Sequence, residues 1–132
     1  MGWFSKLFGA KEEVAAVVVS LTDQNFRKEV LESKVPVLVD LWSDGCGPCR
    51  QLEPVVLQLS RDYAGRLKVA ELNVANAPKT IGKLGVRGTP TVIYFRKGRE
   101  VERVVGYRGA HYHRELIDSE LLPQEAPAPS AS

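Results

Sequence analysis

Residues 37–49 read VLVDLWSDGCGPC and contain both cysteines of the 132-residue chain, Cys46 and Cys49. The first six residues are almost entirely apolar, which predicts a buried strand. Downstream, apolar residues recur at helical spacing in Leu52, Val55, Val56, Leu59 and Tyr63. The cysteine pair is therefore expected where a central strand ends and an amphipathic helix begins.

This position favours thiol chemistry. The unpaired N–H groups and the positive dipole end of a helix N-terminus stabilise a thiolate, which is the nucleophile in thiol–disulfide exchange. We expect Cys46 at the helix cap, facing solvent, and Cys49 one turn further in and more sheltered. Pro48 is expected at the first helical position, where its missing N–H costs nothing. Two Cα atoms at this spacing can approach within the roughly 4.4–6.8 Å that a disulfide requires.

Two other interpretations of the cysteine pair, a structural disulfide and a zinc site, have less support. A purely structural disulfide would close so small a loop that it would constrain the unfolded chain little. A zinc site requires about four ligands, and the other candidate ligands are His111 and His113, far downstream. We therefore expect redox chemistry, with no metal and no bound cofactor.

Residues 39–49 strongly resemble the active-site segment of the thioredoxin family. Further matches are Pro54, the run Gly88-Thr89-Pro90-Thr91, the Lys97-Gly98 turn and Gly106. The resemblance covers about residues 17–122. It implies an α/β fold of the thioredoxin type, with a central mixed β-sheet of about five strands flanked by about four helices.

The order of elements along the chain agrees with such a fold. Apolar runs predict strands at about 17–21, 37–42, 67–74, 91–96 and 100–105, the last two forming a hairpin. Helices are expected from a cap at Thr22 or Asp23 to residue 33, after the cysteines, at 77–85 and at 110–122. We expect the last helix to bury Tyr112, Leu116, Ile117 and Leu121.

Asp40 interrupts the apolar strand before the cysteines, and a carboxylate there is costly unless it is paired or neutral. The resemblance implies that Asp40 lies beneath Cys49 and assists its proton transfers. A buried acid with a raised pKa can act as a base near neutral pH. An Asp that points out of the sheet and serves structure alone is the other interpretation.

The resemblance also implies the remaining site residues. Substrate binding is assigned to Gly45, Gly47, Pro48, Thr89, Pro90, Gly106 and Tyr107, with Trp42 supporting the site. In this family the proline matching Pro90 follows a cis peptide bond and faces the two cysteines. The Thr89 backbone would then be free to pair with an extended substrate.

Three residues depart from the family pattern. Gly45 stands where the family usually has Trp, Glu71 where it often has Lys, and Tyr107 where the residue is usually small. The loss of the Trp alters the surface through which the family usually binds partners, including thioredoxin reductase. If Glu71 lies near Asp40, two carboxylates would favour the neutral form of Asp40.

Outside the expected domain at 17–122 lie an N-terminal arm, residues 1–16, and a disordered Pro-, Ala- and Ser-rich tail, residues 123–132. Residues 1–12 carry an amphipathic pattern that suggests a weak membrane-surface contact; an arm that packs on its own domain or frays is the alternative. We expect no secretory signal and a cytoplasmic protein, because the apolar run 14–19 is short. A formal net charge of +2 with scattered basic residues does not indicate nucleic-acid binding.

Together these features predict a monomeric thiol–disulfide oxidoreductase that reduces protein disulfides. Its partners would be disulfide-containing proteins and a thioredoxin reductase or equivalent electron donor, and its role would be electron transport in cell redox homeostasis. The main alternative is an interaction module that binds a partner through the face formed by Gly45, Pro90 and Tyr107, with a regulatory or vestigial cysteine pair. An oxidase or isomerase of an oxidising compartment ranks lower, because we expect no signal peptide.

Overall fold

The computed structural model describes residues 14–123, which form one five-stranded sheet with helices on both faces. The strands are β1 (Val18–Ser20), β2 (Val37–Trp42), β3 (Lys68–Asn73), β4 (Thr91–Arg96) and β5 (Arg99–Val105). The helices are α1 (Arg27–Leu31), α2 (Gly47–Asp62), α3 (Pro78–Leu84) and α4 (Ala110–Leu116). A π-helical turn, Ile117–Leu121, continues α4, and a 3₁₀ turn, Val74–Asn76, precedes α3.

The sheet is mixed and has the order β1-β3-β2-β4-β5. The strands β1, β3 and β2 are parallel, whereas β4 runs antiparallel to β2 and forms a hairpin with β5. Five of the six residues of β2 are buried, as expected for a central strand that is covered on both faces. This arrangement confirms the predicted α/β fold.

Alternate residues of β2 face two separate cores. Leu38 packs with α2 residues such as Leu52 and with the turn that follows α4. Val39 packs with Phe26 near α1 and with the segment that carries α3. The helices α2 and α4 therefore cover one face of the sheet, and α1 and α3 cover the other. Asp40 follows the alternation of Leu38, so its side chain is directed toward α2.

The first predicted helix is wrong in extent. Only Arg27–Leu31 is helical, in a π-type turn. Before it, Thr22 and Asn25 exchange the two reciprocal hydrogen bonds of a capping box, and the backbone N–H of Phe26 donates to the carbonyl of Thr22, so Thr22 caps this segment as expected. Asp23, expected as a cap of this helix, instead accepts hydrogen bonds from the backbone N–H groups of Lys79 and Thr80 in α3. The carboxylate thus serves the N-terminus of a different helix, which the dipole of α3 favours.

The predicted inward face of the last helix is also wrong at one residue. Tyr112 is 40% exposed, whereas the neighbouring His113 is 1% exposed. His113 lies four residues before Ile117 and eight before Leu121, and its Nδ1 is 2.7 Å from the hydroxyl of Tyr94. The Tyr94 hydroxyl gives the buried imidazole a hydrogen-bond partner. His113 therefore takes the inward position, although Tyr112 has the larger apolar side chain.

No helix among residues 14–123 is long and apolar enough to cross a membrane. The amphipathic pattern expected at residues 1–12 lies outside the described residues. The expected tail lies outside them as well, apart from Pro123.

Candidate active site

The cysteine pair lies where β2 gives way to α2, as the sequence predicts. Cys46 is the N-cap of α2, and its Sγ accepts a hydrogen bond of 3.2 Å from the backbone N–H of Cys49. The two cysteines form a disulfide with a Cα–Cα distance of 5.2 Å. Cys46 is partly exposed and Cys49 is 6% exposed, which matches the expected difference between them. A sulfur in this position is well placed to be held as a thiolate.

Gly47 and Pro48 form the exposed first turn of α2. Pro48 is the second helical residue and not the first, because the helix begins at Gly47. The reason for its suitability is unchanged, since N–H groups of the whole first turn lack helical partners.

Asp40 is 6% exposed and its Oδ1 makes no hydrogen bond within residues 14–123. Burial raises the pKa of this carboxyl from 3.8 to about 7, and the negative charges of Glu71 and Glu53 act in the same direction. The missing partner of Oδ1 favours a role in proton transfer over the interpretation of Asp40 as a purely structural residue. Its neutral and charged forms are both accessible near pH 7, as a group that exchanges protons requires.

Glu71 lies opposite Asp40, and its carboxylate is held by two hydrogen bonds. One oxygen accepts the indole Nε1–H of Trp42 at 2.5 Å, and the other accepts the hydroxyl of Ser20 at 2.5 Å. This residue thus fixes the Trp42 ring, a contact that was not predicted, and places a negative charge beside Asp40, as the resemblance to the family implied.

The segment that contains Thr89 and Pro90 is attached to the loop before the cysteines. The Thr89–Pro90 peptide bond is cis, as expected. The hydroxyl of Thr89 lies 2.6 Å from that of Ser43, three residues before Cys46. On the other side, the backbone N–H of Gly106 donates to the carbonyl of Pro90 at 2.8 Å. The contact of Ser43 was not predicted, because a serine in a loop carries no distinctive signal.

Gly45 and Tyr107 are the two exposed departures from the family pattern. Gly45 has a φ of +75°, a backbone conformation that residues other than glycine rarely adopt. Open space surrounds the position that a Cβ would occupy. The absent family Trp is therefore accompanied by a backbone that suits glycine. Tyr107 is 43% exposed and directly follows Gly106.

A cleft of about 470 Å³, which we call the acidic cleft, borders both cysteines. Its wall contains four acidic residues, Asp40, Asp44, Glu53 and Glu71. Glu53 lies four residues after Cys49, on the same face of α2. The spacing of Cys49 and Glu53 can be read from the sequence, but only the fold shows that this face of α2 lies toward Asp40. Among residues 14–123, no group of three or more His, Cys, Asp or Glu side chains is arranged to hold a metal ion.

Comparison with known sequences identifies a family. The family model for thioredoxin matches residues 17–119. The chain is 42% identical over 92 residues to chloroplastic thioredoxin M4 of Arabidopsis thaliana, covering 70% of this chain and 48% of that protein. It is 42% identical over 91 residues to thioredoxin 1 of a Nostoc species, covering 69% and 85%. It is 48% identical over 85 residues to thioredoxin of Thiocapsa roseopersicina, covering 64% and 92%.

Proposed function

Because this chain belongs to the thioredoxin family and is a thiol–disulfide oxidoreductase of the protein-disulfide reductase type, we propose that Cys46 and Cys49 perform the reduction in a dithiol–disulfide cycle. The observation that carries this assignment is the disulfide between a partly exposed Cys46 and a buried Cys49 at the start of α2. No other cysteine is present in the chain.

The first step belongs to Cys46. In the reduced protein its thiolate, favoured by the N-terminus of α2, attacks one sulfur of a substrate disulfide. A mixed disulfide forms between Cys46 and that sulfur, and the second substrate sulfur leaves as a thiolate that takes a proton from solvent.

The second step belongs to Cys49 and Asp40. Asp40, ionised at this point, accepts the proton of the Cys49 thiol, and the new thiolate attacks the Sγ of Cys46. The Cys46–Cys49 disulfide forms and the other substrate sulfur leaves reduced. The pKa of Asp40 of about 7 supports this role, because the carboxyl can take up and release a proton near neutrality.

We place the substrate against Gly45, Gly47 and Pro48 on one side and Thr89, Pro90, Gly106 and Tyr107 on the other. Neither the N–H nor the carbonyl of Thr89 has a hydrogen-bond partner within residues 14–123. An extended substrate could therefore pair with this backbone, which gives affinity with little dependence on sequence. Trp42, fixed by Glu71, would support the loop that carries Cys46.

The partners are disulfide-containing proteins and a reductase that restores the dithiol. We propose that the chain acts as a monomer in the cytoplasm, although two of its relatives are named as chloroplastic proteins. Light scattering tests the oligomeric state, and cell fractionation tests the compartment.

We also propose that residues 17–122 form the domain, with an arm at 1–16 and a tail at 123–132. Residues 1–12 of the arm would make a weak contact with the membrane surface. Liposome co-sedimentation with and without residues 1–12 tests that contact, and equal binding by the two proteins would contradict it.

The proposed function is tested by insulin reduction with two electron donors, NADPH with thioredoxin reductase, and dithiothreitol. Turnover with both donors is expected if the missing aromatic at Gly45 is tolerated. Reduction with dithiothreitol alone would support the chemistry and assign a different donor. No reduction with either donor would contradict the proposal and favour the interaction module.

A further inference from the structure

The acidic cleft gives the cysteine pair a second approach, which shares Gly45 with the proposed substrate surface but does not include Thr89 and Pro90. Neither of these residues lines the cleft, whereas Cys46 and Cys49 both do. A molecule in the cleft would therefore reach the sulfurs without using the backbone of Thr89.

The cleft beside the two sulfurs is lined mainly by acidic residues. The cleft has four acidic residues and a single basic residue, Arg50, among its described lining residues. Outside the cleft, the segments that contain Thr89 and Gly106 carry exposed Arg87 and Arg108, and the Arg108 guanidinium lies over the Tyr112 ring. The formal net charge of the whole chain is +2, so the negative field in the cleft is local.

The carboxylates of the cleft differ in whether they have hydrogen-bond partners. Glu71 has both oxygens occupied by Trp42 and Ser20. Asp40 is 94% buried, lines the cleft and has one oxygen without a partner in the described part of the chain. Glu53 is exposed and has no hydrogen bond or ion pair within residues 14–123. A cationic group in the cleft would meet the free carboxylate of Glu53 and would lie in the field of the neighbouring Asp40.

The apolar part of the wall suits a short aliphatic chain. Val18 from β1, Val56 and Leu57 from α2, and the Trp42 ring line the cleft together with the carboxylates. A volume of about 470 Å³ accommodates a small molecule and not a folded partner.

Resting on the proposed function, we propose that the acidic cleft binds small aliphatic disulfides that carry an ammonium group and presents them to Cys46. The Cys46 thiolate attacks one sulfur, and one amine thiol leaves as its thiolate. Cys49 then gives its proton to Asp40, attacks the Cys46 sulfur and releases the second amine thiol as its thiolate. The two leaving thiolates take up protons from solvent, and two electrons pass from the dithiol to the disulfide. A reductase or dithiothreitol restores the dithiol.

The test compares three disulfides of similar size: cystamine, which is cationic, 2-hydroxyethyl disulfide, which is neutral, and dithiodiglycolate, which is anionic. The full-length reduced protein is mixed with each, and formation of the Cys46–Cys49 disulfide is followed in stopped flow. Because the acidity of the leaving thiol also affects the rate, each rate constant is divided by that of dithiothreitol with the same disulfide.

We expect the corrected rate constants to fall in the order cationic, neutral, anionic, with cystamine about 3–10-fold above the neutral disulfide at low salt. Sodium chloride at 0.5 M should reduce this preference, because salt screens the field of the cleft. Equal corrected rates, or a preference for the anion, would overturn the inference.

Glu53→Gln isolates the role of the cleft, and Glu120→Gln, on the turn after α4, makes the same change in net charge elsewhere. Glu53→Gln should lower the cationic-to-neutral ratio about two- to fourfold, and Glu120→Gln should leave it at the wild-type value. Comparing ratios within one variant cancels any change in the reactivity of the cysteines. An unchanged ratio in Glu53→Gln would overturn the inference.

Insulin reduction by the wild-type protein separates the two proposals. Loss of charge preference with insulin reduction intact contradicts only the binding of ammonium disulfides. Absence of insulin reduction contradicts the proposed function itself.

Discussion

Asp40 and Glu71 are register partners on the adjacent parallel strands β2 and β3, and both side chains face α2. Their proximity is one cause of the raised pKa of Asp40, second to burial. Glu71 stays in place because Trp42 and Ser20 donate to its two oxygens. One residue therefore positions the tryptophan of the site and biases the protonation of the buried acid.

Removing the charge of Glu71 should lower the pKa of Asp40. Glu71→Gln keeps the size of the side chain and can still accept from Trp42 and donate to Ser20, so it changes mainly the charge. We expect the pKa of Asp40 to fall by about 0.5 to 1 in Glu71→Gln, and further in Glu71→Lys. NMR titration of the Asp40 carboxyl measures this. A pKa that is the same in wild type and Glu71→Lys would contradict the electrostatic role of Glu71.

Asp40 should reduce the free energy of unfolding as pH rises. Its folded-state pKa of about 7 exceeds the ordinary 3.8, so between these values the folded protein binds more protons than the unfolded chain. Stability is therefore lost as pH rises through 7. The free energy of unfolding of Asp40→Asn, relative to that of wild type, should therefore rise by about 2–3 kcal/mol when the pH is raised from 5 to 8. Urea unfolding of the oxidised proteins measures this. For the exposed Glu120→Gln, the change should stay within about 0.5 kcal/mol.

His113 should have the opposite pH dependence. Burial lowers its pKa from 6.5 to about 4, with the charge of Arg108 acting in the same direction. Between these values the unfolded chain binds more protons, so stability falls as pH decreases from 6.5 to 4. The advantage of wild type over His113→Phe should shrink by about 3 kcal/mol over this range. His111→Gln, at an exposed position of the same helix, is the control; a similar pH dependence in both variants would refute the assignment.

Gly45 should tolerate a side chain poorly even though the space around it is open. Its φ of +75° costs other residues about 1–2 kcal/mol, whereas Gly47 lies in the first turn of α2 with no positive φ. Gly45→Ala should therefore lower the free energy of unfolding by about 1 kcal/mol, and Gly47→Ala should leave it unchanged or raise it. Chemical denaturation of the two variants decides this, and equal stability would show that the loop relaxes without cost.

Local patterns in the sequence predicted much of the fold. The apolar run of β2 and the helical spacing after Cys49 placed the cysteines at the cap of α2. The turn at Lys97 and Gly98 identified the hairpin of β4 and β5. These features depend on residues that are close together in the chain, so periodicity and turn chemistry detect them.

Contacts between distant segments could not be predicted in this way. Asp23 caps α3, 56 and 57 residues away, and Thr89 contacts Ser43 across 46 residues. The burial of His113 in place of Tyr112 depends on the hydroxyl of Tyr94 in another element. The position of Glu71 beside Asp40 required the register of β3 against β2, and the resemblance to the family supplied that expectation.

The division of labour between the cysteines is tested most directly by trapping the intermediate. Reduced Cys49→Ser is mixed with a disulfide-containing protein substrate, and the products are identified by intact mass spectrometry and peptide mapping. We expect a persistent mixed disulfide at Cys46, because the thiol that resolves it is absent, and no adduct with Cys46→Ser under the same conditions. An adduct on Cys49 in the Cys46→Ser protein, or none on Cys46 in Cys49→Ser, would contradict this division of labour.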